Sequence, residues 1–269
     1  MLKLFSALSL PIFILSLSAC KKNQNPAPQR ALKPVIIERN APGLLIRSYL
    51  TYQDDGNPQT ITDSSFTNDS LNETRVHRFF YNQDHKIDYV SIVAQTPSGE
   101  RTFFERKDFQ WEGETLKSIR YSSGDTEYLT YNAQGKITEI VRASKNNAPY
   151  WRETYAYNEQ GNYTEERTYH ITQGTEQLFS VLTYSDFDQK QNAYTLIPYY
   201  EYLVSIPAQR NNAQTQHYTM DLDQDGILEK DESITSNFKF LYDVQGLPTN
   251  WQQLDQNYTH TFAAKYQSR

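Results

Sequence analysis

Five segments of this chain share one pattern, and their spacing leaves little room for anything but stacked β-hairpins. Tyr52-Gln-Asp-Asp-Gly56, Tyr131-Asn-Ala-Gln-Gly135, Tyr157-Asn-Glu-Gln-Gly161 and Tyr242-Asp-Val-Gln-Gly246 read Y-x-x-x-G, and Tyr81 to His85 is the same unit with its glycine replaced. Tyr184 to Asp188 is a weaker copy, and Trp111-Glu-Gly113 a shortened one. From Tyr52 to Tyr184 the intervals run 29, 30, 20, 26 and 27 residues; a further 58, or two steps of 29, reaches Tyr242, with Asp225-Gly226 falling between. Self-similarity at a nearly fixed period marks a repeated supersecondary unit.

Each step holds two strands and two turns. A helical crossover would need a long apolar face at period 3.6, and none runs between the aromatics. Thr126-Glu-Tyr-Leu-Thr-Tyr131 alternates instead, with Leu129 and Tyr131 on one face and Tyr128 and Thr130 on the other. Polar turn formers and Gly135 follow, the glycine taking a positive φ at little steric cost, and Lys136 to Val141 returns. The other connections are equally turn-like, as in Thr96-Pro-Ser-Gly-Glu100, Ser123-Gly-Asp125, Ser144 to Pro149 and Thr172 to Glu176. The 21 tyrosines and 13 phenylalanines suit pleated, half-buried surfaces. The expectation is an all-β chain, an antiparallel meander of about fourteen strands. That is too many for a flat sheet, so a curled or partly closed one is expected. One stretch departs: Tyr194 to Ile206, rich in Tyr and aliphatic residues and interrupted by Pro198, predicts one short helix or cap near 194–206 over a sheet end.

The N-terminus carries a different signal. Lys3 precedes a fourteen-residue apolar run from Leu4 to Leu17, which ends in Leu17-Ser18-Ala19-Cys20. The run is short for a bilayer span, which needs about 20 apolar residues, but suits a signal-peptide core. Small residues before the only cysteine of the chain resemble the lipobox of bacterial lipoproteins, whose thiol accepts a diacylglycerol. Residues 1–19 are therefore expected to be an export signal, Cys20 the lipid attachment point, residues 20–42 a Pro-rich tether, and 43–269 the hairpin domain. Within the tether, Val35-Ile36-Ile37 is a candidate early strand. Loss of Lys3 leaves 25 basic and 32 acidic residues, net −7, with no basic cluster beyond Lys21-Lys22 beside the lipid. That balance argues against a nucleic-acid partner and for a membrane partner through the anchor. Lys21, where sorting signals for the inner membrane carry aspartate, points by resemblance to an outer-membrane location, periplasmic or surface facing.

The Tyr hairpins resemble the tyrosine–aspartate repeats of Rhs-type proteins. They resemble more closely the repeat lipoproteins of Bacteroidota, a family of unknown function described as having a porin-like fold. The resemblance covers about residues 46–267. Besides the hairpins, it rests on Tyr184-Ser-Asp-Phe-Asp188, on Asn211-Asn212, and on Tyr242-Asp-Val-Gln-Gly-Leu-Pro248; Ala193 departs, standing where the family has proline. It implies a curved antiparallel sheet and an envelope location, and it implies no activity. It does not imply a pore, because strands such as Thr164-Glu-Glu-Arg-Thr168 lack lipid-facing apolar alternation.

Asp221-Leu-Asp223-Gln-Asp225-Gly226-Ile227-Leu228-Glu229-Lys230-Asp231-Glu232 is the sharpest candidate site. Asp221, Asp223, Asp225 and Glu229 put oxygens at loop positions 1, 3, 5 and 9, Ile227 offers its carbonyl, and Glu232 closes the set. This spacing can wrap Ca²⁺, which takes six to eight oxygens. The flanks, Gln214 to Met220 and Ser233 to Tyr242, read as strands rather than EF-hand helices, so an Asp-rich hairpin turn accounts for the same residues and both readings stand.

Catalytic patterns do not emerge. There is no H-E-x-x-H, G-x-S-x-G or P-loop, and His77, His85, His170, His217 and His260 are scattered. Adjacent acids such as Glu165-Glu166 point to opposite faces of a strand, although carboxylates from distant strands can still meet. Trp111, Trp151 and Trp251, with Tyr150, Tyr199, Tyr200 and Tyr202, either form a platform for sugar rings or fill the concave side of the sheet. The resulting expectation is a non-enzymatic, lipid-anchored scaffold or binding protein of the envelope. A glycan-binding lipoprotein and then a glycoside hydrolase stand behind it, with a glycan or an envelope protein as partner.

Overall fold

The computed structural model describes residues 32–204, 206–207, 209–223, 227–229, 233–255 and 258–268. The export signal, Cys20 and the tether up to residue 31 lie outside the described residues.

Sixteen antiparallel strands close into one barrel, each paired with its neighbours in sequence. They are β1 (Leu32–Ala41), β2 (Leu44–Tyr52), β3 (Pro58–Thr67), β4 (Ser70–Tyr81), β5 (Ile87–Gln95) and β6 (Arg101–Glu112). The wall continues with β7 (Thr115–Tyr121), β8 (Thr126–Tyr131), β9 (Ile137–Ala143), β10 (Pro149–Tyr157) and β11 (Tyr163–Thr172). It is completed by β12 (Thr175–Gln191), β13 (Asn211–Met220), β14 (Ser233–Tyr242), β15 (Pro248–Leu254) and β16 (Thr259–Ser268).

The expected count of about fourteen is two short, and the sheet closes fully. The two strands beyond that count are the terminal ones, and the first of them contains Val35-Ile36-Ile37, the candidate early strand. β1, whose residues 32–41 fall in the expected tether, pairs with β16 from Leu32↔Ser268 to Asn40↔Thr261. Neither has a turn tyrosine of its own between them, so counting turns misses both. Their pairing removes the two free edges that an open sheet would leave for aggregation. The wall thus begins at residue 32, ahead of the expected boundary at 43.

The turn motif works as a local device. Asn132 Oδ1 accepts from the backbone N–H of Gln134 and Lys136 at 3.0 and 2.9 Å, while Gly135 turns back with φ of 74°. Asn82, Asn158 and Asp243 cap their turns in the same way. An aromatic of the following hairpin, the one that opens its turn in three of four cases and Tyr266 of the last strand in the fourth, then ties each turn to its neighbour. Tyr81 Oη donates to the Pro58 carbonyl at 2.7 Å, Trp111 Nε1 to Ile87 at 2.7 Å, Tyr157 Oη to Ile137 at 2.6 Å, and Tyr266 Oη to Pro248 at 2.8 Å. Each acceptor is the sixth residue after the previous turn aromatic, and all four are buried. The weaker copy at Tyr184 is not a turn: it lies within β12 and packs edge-on against Tyr163 at 5.1 Å.

Where that turn would be, the described residues between 192 and 210 enter the lumen. Asn192 caps a single 3-10 turn, Ala193–Leu196, and a five-residue helix α1 (Tyr200–Val204) follows, as the composition of 194–206 predicts. So short a helix has no stability of its own. It is held by the wall: Tyr199 Oη donates to the His85 carbonyl at 3.2 Å, Lys107 Nζ to Leu203 at 2.8 Å, and Gln209 Nε2 to Tyr163 at 2.8 Å. At its base, Asn162 and Asn211 exchange hydrogen bonds at 2.8 and 3.1 Å. Asn212 and Tyr242 both donate to Asp188 there. This segment plugs the end of the barrel where the tyrosine turns lie.

Candidate functional site

Strand alternation divides every residue of the wall between water and lumen. Outward positions carry ion pairs: Arg47 with Glu38, Arg106 with Asp108, Arg167 with Glu165, and Arg152 with both Glu139 and Glu176. Among them the half-buried ring of Tyr89 is partly covered by a cation, Arg106, at 3.9 Å. A lipid-facing barrel needs an apolar outer band. This wall is built to face water.

The lumen is apolar and aromatic near the turns. Ile87, Val90, Leu116, Ile119 and Ile140 have no exposed surface and pack with Tyr199, Tyr202 and Leu203 of the plug. A second cluster joins Ile37, Leu50 and Trp251 to Ile197, Tyr194 and Tyr200.

Further along β8 to β11 the inward positions carry charge. Glu127 pairs with Arg142 at 2.8 Å, and Arg142 lies 3.8 Å from Glu153. Glu153 accepts from Trp151 Nε1 at 2.7 Å and from Tyr155 Oη at 2.9 Å. On the next strand, burial and the charge of Glu153 push the Glu166 carboxyl up to about 7, with Arg142 opposing. Glu165, its neighbour in sequence, points outward to Arg167 at 2.7 Å, as strand geometry requires. Three lumen carboxylates thus come together from separate strands. Donors already hold Glu127 and Glu153, so the group acts as an internal network that braces the wall; Glu166 is its proton-exchanging member near neutrality.

The candidate calcium loop joins β13 to β14 at the opposite end from the plug, and both flanks are strands. Asp221 is buried to 1% exposure, its N–H donating to the Phe179 carbonyl at 2.8 Å and its carboxylate accepting from Gln177 at 3.3 Å. Asp223, Ile227 and Glu229 are exposed. Asp225, Gly226 and Glu232 lie outside the described residues. Among the described residues no group of three or more His, Cys, Asp or Glu side chains is placed to hold a metal ion.

The aromatics do not assemble into one outer platform. Trp111 meets Tyr199 and Tyr202 edge-on at 6.2 and 5.9 Å inside the lumen. Trp251 stacks on Phe262 at 5.2 Å, and Trp151 sits apart with His170 and Phe179. Of the seven, only Tyr150 counts as exposed, at 41%.

Several hollows border the plug, and two of them are lined mainly by apolar surface. One, of about 410 Å³, is lined by aromatics that include Tyr184, Phe238, Phe240 and Trp251. The larger, of about 810 Å³, lies between β1 to β4 and the plug. Its floor is Ile37, Leu50, Ile61, Ile197 and Leu203, and its polar wall includes Ser48, Asp63 and His77. Ser48 Oγ donates to Asp63 at 2.5 Å, and His77 Nε2 lies 3.1 Å from the other carboxylate oxygen. Burial works against the Asp63 charge, yet these two partners hold its carboxyl below the ordinary value. Both volumes fall in the range of small-molecule sites. The hollows were not anticipated from the sequence, because the plug that bounds them is read there only as a cap.

The class these features define is a closed, plugged antiparallel β-barrel with a water-facing wall and an interior chamber. Comparison with solved structures gives that class a fold. The crystal structure of a porin-like protein from Bacteroides uniformis matches with a TM-score of 0.53 at 14% identity, over 87% of this chain and 98% of that one. A porin-like protein from Bacteroides vulgatus is a weaker match, with a TM-score of 0.42 at 10% identity, over 88% and 99%. The chain therefore has a porin-like fold. No protein-family model matches it, and no curated protein does.

Proposed function

We propose that this protein is a lipid-anchored protein of the cell envelope whose barrel is a non-enzymatic binding scaffold, holding its ligand inside the lumen. The observation that carries the reading is the plugged lumen with a chamber of about 810 Å³ behind a charged, water-facing wall. A conduit needs an open lumen and a lipid-facing wall; a binding scaffold needs neither. The anchor rests on Leu17-Ser18-Ala19-Cys20 and on the tether that follows, and the outer membrane on Lys21. The Tyr-x-x-x-Gly hairpins support kinship with the repeat lipoproteins of Bacteroidota. On this reading the partners are the membrane, through the lipid, and a glycan or another envelope component at the barrel. The test is fractionation of cells expressing the full chain: the wild type sediments with membranes and Cys20→Ala is released. A Cys20→Ala protein that stays membrane-bound would refute the anchor.

The Asp221–Glu232 loop supports a second proposal, a structural Ca²⁺ that pins the β13–β14 connection. Asp221, the first oxygen of the pattern, is already held rigid at the sheet end by Phe179 and Gln177. Millimolar Ca²⁺ is expected to raise the melting temperature, and Glu232→Ala to abolish the rise. Identical melting in calcium and in EGTA would end the idea.

A further inference from the structure

The large chamber has a chemistry of its own. Its floor is aliphatic on both sides, from the wall at Ile37, Leu50 and Ile61 and from the plug at Ile197 and Leu203. Towards the end away from the plug it opens past Leu44 and Asn72, both exposed. Its charges fall into pairs with one left over. Asp63 is engaged by Ser48 and His77, and Arg75 by Glu73. Arg39 stands alone. It faces the lumen, between Ile46 and Phe262 in register, and its guanidinium lies 5.9 Å from the Phe262 ring. It is exposed at the chamber's edge and forms no ion pair with any described residue.

An inward arginine is a poor choice for a structural filler. Its planar fork of donors matches a carboxylate or phosphate, and beside apolar walls such a contact is stronger than in water. We propose that this chamber binds an amphipathic anion: a single aliphatic chain lies on the Ile37–Leu50–Ile61 floor against the plug, and its anionic head is received by Arg39. The proposal rests on the binding-scaffold reading and names the ligand class for that same lumen. A polar chain would leave the floor unmatched. A neutral or cationic head would leave Arg39 without a partner.

The head can come from a free fatty acid or from a lysophospholipid, and the two are separable. Titration calorimetry on the purified full chain, below micelle-forming concentrations, would compare dodecanoate, dodecanol, acetate and a lysophosphatidylglycerol. Saturable binding is expected for dodecanoate, for the lysophospholipid, or for both, which identifies the source. Dodecanol should bind about tenfold or more weakly, the usual worth of a hydrogen bond to a charged group, and acetate not measurably. Arg39→Glu should lose dodecanoate and gain dodecylammonium, an exchange that mere disturbance of packing cannot produce. Because Arg39 is exposed, the variant should melt with the wild type. Absence of saturable binding by either anion, or Arg39→Glu binding dodecanoate as the wild type does, overturns the proposal. Neither result touches the Cys20 anchor, whose test is independent.

Discussion

The two sides of the lumen are built from one repeat yet end in opposite states. Around β7 to β9 the aliphatic inward side chains pack fully against the plug: Leu116, Ile119 and Ile140 are wholly buried. Around β2 to β4 the same repeat encloses the large chamber. Strand length accounts for part of the difference. β8 has six residues and β4 has twelve, so at about 3.3 Å per residue the wall rises about 20 Å on one side and about 40 Å on the other. A five-residue helix cannot follow the taller wall to its rim. Residue choice accounts for the rest, because Ser48, Asp63 and Ser65 stand at inward positions and fill less space than Ile and Leu. The repeat specifies the wall, and the inward residues specify what the wall contains.

That contrast is most directly broken by truncating one leucine on each side. Leu116→Ala should cost about 3–4 kcal/mol, since the three-carbon hole it leaves in a fully packed site cannot collapse. Leu50→Ala borders the existing chamber and should cost no more than about half as much, because it enlarges a hollow instead of creating one. Chemical denaturation of the two variants compares them. Equal losses would mean that the chamber is filled or collapses in solution, and the contrast would fail.

Proton linkage sharpens it next. Glu166 belongs to the packed side, and its carboxyl is raised to about 7 from an ordinary value near 4.5. A group whose folded value is raised contributes stability that is complete below the unfolded value and is lost as pH climbs through the folded one. Melting temperature should therefore fall between about pH 5 and pH 8, by the equivalent of about 2 kcal/mol after allowance for partial solvation. Glu166→Gln should flatten that slope. Asp63, on the hollow side, has a lowered value and acts with the opposite sign, losing stability only under acid conditions. An unchanged slope in Glu166→Gln would show that another group carries it.

Much of this architecture could be read from the tyrosines. The shortest interval, 20 residues from Trp111 to Tyr131, gives the short strands β7 and β8; the 29-residue interval before Tyr81 gives the longer β3 and β4, which wall the chamber. The residue after each turn glycine and the buried residue beyond it, as in Lys136-Ile137, extend the motif in a way the pattern Y-x-x-x-G leaves out. Closure was not legible, because β1 and β16 pair across the whole length of the chain and neither has a motif of its own. The Glu127–Arg142–Glu153 network was hidden for the same reason: neighbours in a barrel are hairpins apart in sequence. Arg39 looks like any tether residue until register turns it inward.

The smallest effect tests the one element both sides share, the turn. At the fifth position of the motif Gly135 has φ of 74° on the packed side, and His85, the exception, has φ of 59° at the turn into β5. Backbone of this kind suits glycine, and a side chain there adds strain. Gly135→Ala should therefore cost about 1 kcal/mol, although no neighbour lies within 4 Å of the added Cβ, so the loss is conformational and not steric. His85→Gly relieves the same strain but gives the unfolded chain more freedom. Its contacts add little: the imidazole lies 3.7 Å from Asp55 at the surface, and the bond from Tyr199 goes to its backbone carbonyl, which glycine keeps. The net should be a gain of a few tenths of a kcal/mol at most, read as a small rise in melting temperature. A clear loss would mean that the His85 side chain helps to seat the plug, and that the turns are not interchangeable parts around the barrel.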